Sequence, residues 1–454
     1  MKIFTLALAF SLILLQAGAQ TWQVVGAQAF SPAVTKYSLT SLALDPGGTP
    51  YVAFSNAEDS GKISVMKFNG TDWVYVGDTT FSGSTGYDVS IAIDNNNLPW
   101  VAFGDSKNSS HATVMKFDGS AWVNVGPAGF SNGVVNNCTI KFDDNYTPYI
   151  SYVDAGYSGK VVVKKFNGSS WEDVGTPGFT AGGAGQMTMA LSSSNEPYVA
   201  YQDQANGYAA SVMMYNGTDW VHVGSPTFSN GTCQFTHITF DSAGTTPYVC
   251  YNQGYNPFAP NVQYYNGSSW QYLGGQNLNT DVDYQNNIAM GGNNTPYVVF
   301  PDGSYNGKLS VMSYNGSWTY AGNTGFSAGS PWYPNIGVDT LDNVYVEYYA
   351  DDDADKLTVM KLGNNFPTGG KQLIEASQLK AWPNPFSSSI SFAGENSGVL
   401  KAEVYDLTGR LLASNIYEHY SPVLQMDLSL LVPGAYLLQV TTDKGKYTQS
   451  IVKE

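Results

Sequence analysis

A tryptophan returns along this chain at a nearly fixed interval. Trp22, Trp73, Trp122, Trp171, Trp220, Trp270 and Trp318 follow one another in steps of 51, 49, 49, 49, 50 and 48 residues. The fullest copy of the surrounding pattern runs Ser41-Leu-Ala-Leu-Asp-Pro-Gly-Gly-Thr-Pro-Tyr-Val-Ala-Phe54, then Ile63 to Phe68, then Trp73 to Val76. A period of this size marks a supersecondary unit that buries its faces only by stacking on its neighbours.

Each copy holds four short runs, here A to D, in which apolar residues alternate with small or polar ones. Period two with β-branched and aromatic residues reads as strand, and no copy carries ten residues of helical periodicity. A and B are joined by an Asp-rich turn such as Asp45 to Thr49 or Asp94 to Leu98. C and D are joined by Asn-Gly or Asp-Gly at residues 69, 118, 167, 216, 266 and 315, a pair suited to a type I′ hairpin turn. The unit is therefore a four-stranded antiparallel meander. Standing such sheets round an axis buries their faces and leaves only short edges, which is the β-propeller solution.

Runs of type A begin near Ser41, Ser90, Thr139, Thr188, His237, Asn287 and Asn335, which makes seven. The last A, B and C set, ending at Leu362, is followed by no tryptophan, whereas Trp22-Gln-Val-Val-Gly26 precedes the first A run. The expected fold is an all-β, seven-bladed propeller over residues 20–364, closed by pairing the N-terminal strand onto the last blade. A buried indole hides roughly 150–250 Å², so Trp22 contributes on the order of 4–6 kcal/mol to that closure as an upper bound.

Residues 1–19 have the form of a secretory signal: Lys2, an apolar Ile3 to Leu15 too short to span a bilayer, and Ala17-Gly-Ala19 as a cleavage site. No other segment approaches transmembrane length. The formal charge of −16 argues against nucleic acid or an anionic membrane as partner. Three cysteines, Cys138, Cys233 and Cys250, make an odd count, and the fold does not depend on bridging them.

Composition changes after Leu362. Residues 365–377 read as a linker and residues 378–454 as a small β-sandwich. The sandwich carries Pro383-Asn384-Pro385, then Tyr405-Asp406 with Gly409-Arg410, then Gly434-Ala-Tyr436, and ends near Lys453. In that order, at a chain end behind a signal peptide, these motifs resemble the type A C-terminal sorting domain of the type IX (Por) secretion system of Bacteroidota. The resemblance implies export to the periplasm, passage through the outer-membrane translocon and delivery outside or onto the surface of a Gram-negative cell, with the secretion machinery as partner. The repeats are similar, more loosely, to NHL-type blades, through Asp-x-x-Gly-x-Pro-Tyr-Val following an alternating strand.

The chemistry-bearing residues are sparse. His111, His222, His237 and His419 do not recur with the repeat, and no metal-ligand spacing, cofactor motif or nucleophile–base–orienter set is readable. Neither a catalytic residue nor a metal or cofactor is assigned. In a propeller the B–C and D–A loops share one rim, and being longer and more varied they mark it as the working face. Two sets of residues fall there. Asn56, Asp105, Asp154, Asp203 and Asp302 recur at the exit of run B, either as caps of their own loops or as a ring of acceptors for sugar hydroxyls or cations. Ser38, Tyr87, Asn136, Gly185, Gln234, Tyr284 and Trp332 precede run A and differ from copy to copy. Tyr and Trp beside amides suit stacking on pyranose rings with hydrogen bonds to hydroxyls. The recurring Phe30, Phe81, Phe130, Phe179, Phe228 and Phe326 read as inter-blade packing, and Asp351 to Asp355 as a solvated acidic loop. The leading expectation is a non-enzymatic surface protein that binds glycan or another polymer. The alternatives are a propeller glycosidase or polysaccharide lyase, and a purely structural or adhesive protein.

Overall fold

The computed structural model describes residues 21–36, 38–254, 258–279, 285–363, 379–394, 399–405, 411–416, 424–442 and 445–454. The signal segment 1–19 and the linker 365–377 lie outside them. The chain divides into two compact units, Met1–Thr368 and Gly369–Glu454.

The first unit is a seven-bladed propeller. Blade 3 is typical, with strand A at Val135–Phe142, B at Pro148–Asp154, C at Lys160–Phe166 and D at Trp171–Asp173, paired antiparallel in that order. Strand A of each blade neighbours strand A of the next, and that of blade 7 (Pro331–Val338) neighbours that of blade 1 (Ser41–Leu44). The ring is closed as the missing seventh D run requires. Gln23–Val24 pairs antiparallel with the last C strand, Lys356–Leu362, through Gln23 with Lys361 and Val24 with Met360.

The repeating tryptophan is an inter-blade latch. Each indole N–H donates to a backbone carbonyl of the preceding blade: Trp73 to Val25, Trp122 to Val76, Trp171 to Val125, Trp220 to Val174, Trp270 to Val223, Trp318 to Leu273 and Trp22 to Ala321, all at 2.7–3.0 Å. Six of the seven rings also stack on the recurring phenylalanine, as in Phe81 on Trp122 with centroids 3.8 Å apart and planes at 9°. The glycine after each D strand makes room. Gly77 has φ +73°, and a Cβ there would stand 2.9 Å from Phe117 and 3.2 Å from Trp122.

Three local details differ from the sequence reading. The Asn-Gly turns are not type I′. Only the glycine has positive φ, and the Asn69 carboxamide instead accepts the Thr71 and Asp72 N–H groups, closing a longer Asx-type loop. The B–C loops hold single 3-10 turns, such as Ala155–Tyr157 and Gln204–Asn206. In blades 2, 3, 4, 5 and 7 strand A starts several residues earlier than the alternation suggests, because a β-bulge carries the pairing across a break in register. All three cysteines are buried and free.

The second unit is a sandwich. One sheet has the order Leu379–Trp382, Ser389–Gly394, Leu424–Asp427, and the other Leu411–Ile416, Val399–Tyr405, Gly434–Thr442, Gly445–Lys453. Phe386, Ile390, Val404, Met426, Leu438 and Ile451 form its core.

Candidate functional site

The five bulges stand together on the B–C/D–A rim, where strand A begins. Each places one non-glycine residue at positive φ: Asp88 at 51°, Asn137 at 53°, Gln186 at 44°, Phe235 at 54° and Tyr333 at 44°. The residue just before each bulge is a mouth residue named from sequence: Tyr87, Asn136, Gly185, Gln234 and Trp332. A bulge re-aims side chains at a sheet's end, and here it does so at one position in five blades. Asn136 is exposed, while Tyr87, Gln234, Trp332 and the blade 1 counterpart Ser38 are half-buried. Tyr284 lies outside the described residues.

Side chains at this level tie three pairs of neighbouring blades, 2 to 3, 4 to 5 and 6 to 7. Asp88 accepts the Asn137 N–H at 2.9 Å, Gln186 accepts the Phe235 N–H at 2.5 Å, and Gln285 accepts the Tyr333 N–H. Burial raises the Asp88 carboxyl above its ordinary value, and the Asn137 N–H offsets part of that. These linking residues escaped the sequence reading. The only signal was that Asp, Asn or Gln follows the mouth residue in several copies, and Asn and Asp are the side chains that best tolerate positive φ.

Individual mouth residues are further positioned. Tyr87 pairs with Gly104 across strands A and B and lies against it, since a Cβ at Gly104 would be 2.7 Å from the ring. The Tyr87 hydroxyl donates to Ser110 O at 3.4 Å. Trp332 hydrogen-bonds Asp351 at the seam between the last and first blades. There Lys36 Nζ is 3.5 Å from both Asp351 and Asp355. The Asp355–Asp351 hydrogen bond holds Asp351 below its ordinary value, while burial raises Asp355. Among the described residues no group of three or more His, Cys, Asp or Glu is placed to hold a metal ion.

The second candidate set is engaged within its own loops. Asn56, Asp105, Asp154, Asp203 and Asp302 are all buried, and each caps the 3-10 turn that follows by accepting the N–H two residues on. Further donors fill their remaining oxygens. Asp203 also accepts from Asn206 and Ser211, Asp154 from the Asn132 N–H, Asp105 from Thr113 and Asp302 from Tyr320. This is the capping arrangement, and it holds the floor of the rim in place.

Two basic residues sit on the innermost strands. His237 stands in strand A of blade 5 and Lys141 in strand A of blade 3. Burial, with Lys141 adding to it, lowers the His237 imidazole to about 4, so it is neutral near pH 7. Lys141 is reached by solvent, yet the enclosing protein lowers its ammonium too.

In the second unit the motif residues knit the chain end to its core. Asn384, between Pro383 and Pro385, accepts the Val452 N–H at 2.8 Å. Gly434 pairs with Lys453, Tyr436 donates to Val432 O at 2.5 Å, and the Lys453 ammonium donates to the Leu428 and Ser429 carbonyls at 2.8 Å. Gly409 and Arg410 lie outside the described residues.

Residues 380–454 match the family model of the secretion system C-terminal sorting domain. The chain is thus a secreted or cell-surface protein of the type IX route, with that machinery as its partner. No curated protein matches the chain. Among solved structures, a fucose-specific lectin from Aleuria aurantia is 15% identical, with 66% of this chain and 100% of that one covered and a TM-score of 0.43. AofleA from Arthrobotrys oligospora is 9% identical, over 67% and 90%, with a TM-score of 0.44. A PL25 polysaccharide lyase, an ulvan lyase, is 12% identical, over 77% and 96%, with a TM-score of 0.49.

Proposed function

We propose that this exported propeller is a non-enzymatic glycan-binding protein whose working face is the bulge-bearing rim. One observation carries the reading. Five blades spend a β-bulge at the same place, and what each presents there is not a repeated residue but a different one: tyrosine, asparagine, glycine, glutamine and tryptophan. A feature needed only for folding would repeat its side chain, as the capping Asp does. Tyr87 and Trp332 supply flat faces for stacking on a sugar ring, and Asn136 and Gln234 supply donors and acceptors for its hydroxyls. Several weak sites round one mouth add up on a polymeric ligand.

The test is affinity electrophoresis of the full chain through gels holding a panel of soluble polysaccharides. The expected result is retardation by at least one of them, weakened about tenfold, or about 1.4 kcal/mol, in Trp332→Ala and Tyr87→Ala with melting temperatures kept. Retardation that survives both substitutions contradicts the rim assignment. Release of shortened chains from the same polysaccharides contradicts the non-enzymatic reading.

A further inference from the structure

The opposite rim, built of A–B and C–D turns, carries a departure from the repeat in three blades. The second residue of every B strand is aromatic: Tyr51, Trp100, Tyr149, Tyr198, Tyr248, Tyr297 and Tyr345. Its cross-strand neighbour on strand C is Lys67, Lys116, Lys165, Met214, Tyr264, Ser313 and Lys361 in turn. In blades 1, 2 and 7 the lysine ammonium sits over the ring, 5.0–5.7 Å from its centroid. In blades 4, 5 and 6 the lysine gives way to Met214, Tyr264 and Ser313. Only in blades 4 and 5 is the aromatic residue half-buried, as Tyr198 and Tyr248, whereas the other five are 3–8% accessible.

Tyr198 and Tyr248 face a groove of about 590 Å³ between blades 4 and 5, within the range of small-ligand sites. Tyr248 and Tyr264 form one wall, their rings 5.7 Å apart at 27°. Tyr198, Met214, Val223, Pro247 and Tyr265 complete the apolar lining, and no carboxylate, lysine or arginine lines the groove. Polar groups stand among the rings. Asn266 spends its Oδ1 on the Ser268 and Ser269 N–H groups, which leaves its amide nitrogen to donate. His222 has a buried Nδ1 with no hydrogen-bond partner among the described residues.

We propose that this groove binds an uncharged sugar ring. Flat aromatic faces interleaved with neutral donors and acceptors match a pyranose, whose C–H face is apolar and whose hydroxyls both give and take hydrogen bonds. No carboxylate lines the groove to pair with an ammonium ligand directly. The site is independent of the bulge-bearing rim and stands or falls separately from it.

The experiment is saturation-transfer NMR of the full chain with the methyl glycosides of glucose, galactose, mannose and N-acetylglucosamine, and with tetramethylammonium for comparison. Met214→Lys combined with Tyr264→Lys installs the cover that other blades already tolerate. It is expected to weaken binding of at least one glycoside tenfold or more at unchanged melting temperature, while Trp332→Ala leaves that binding intact. Tyr198→Ala reads the same loss if the lysine pair does not fold. The proposal is overturned if no glycoside binds, if only tetramethylammonium binds, if neither groove substitution weakens binding, or if the signal follows Trp332→Ala instead.

Discussion

Glu347 occupies a position where the other six blades carry Ala53, Ala102, Ser151, Ala200, Cys250 and Val299, each opposite the equivalent residue of strand A. It is fully buried at the seam of the ring. Thr40 of blade 1 and Asn335 of blade 7 donate to its Oε2 at 3.1 and 2.8 Å, while Oε1 has no partner. Burial pushes the carboxyl up to about 7, against which the two donors pull it down. An acid whose folded pKa exceeds its unfolded value of 4.5 holds its proton longer in the fold. Its contribution to stability is therefore whole below pH 4.5 and is lost as pH rises from there through about 7. The swing is about 3 kcal/mol. Glu347→Gln should remove that loss, so that chemical denaturation at pH 5 and pH 8 differs less in the variant than in the parent. An unchanged difference would show that this carboxyl does not titrate in the window.

At the scale of the element, the rim divides into a floor and a face. The floor is the set of capped 3-10 turns, and Asp154 and Asp203 are wholly buried in it. Asp203→Ala removes the cap on the Ala205 N–H, so a loss of about 0.5–2 kcal/mol is expected by denaturant titration. Binding of polysaccharide should persist in the folded fraction, since the face lies on the bulges. Lost binding at full stability would instead return this residue to the ligand-contacting set. The difference between the two sets was half legible. Recurrence of Asx at the exit of strand B pointed to folding, as the caps show, and variation before strand A is what motivates the proposed face. The bulges were not legible, because a one-residue slip hides within an alternating pattern unless the positive-φ residue is a glycine, and here it is Asp, Asn, Gln, Phe or Tyr. The Asn-Gly turns misled for a related reason: the dipeptide names a tight turn, yet the Asn69 side chain closes a wider one.

For the molecule as a whole, blade number and closure followed from counting, since a fixed period with one D run displaced to the N-terminus has one economical solution. What counting left out is the latch, in which each tryptophan donates backwards to the previous blade. Trp22 therefore seals the ring through both the Ala321 carbonyl and the Phe326 ring, 4.3 Å from its own. Trp22→Ala should cost about 3–5 kcal/mol, seen as a lower calorimetric melting temperature of the propeller. A parent-like transition would count against closure by this strand. The proposed binding rim of this exported propeller is tested most directly by hydrogen–deuterium exchange with and without a polysaccharide that the chain retains. Slowed exchange over residues 84–88, 134–137, 232–235 and 331–333, with the A–B and C–D turns unchanged, is the predicted result. Slowing confined to the turn rim, or none on either rim, would contradict it.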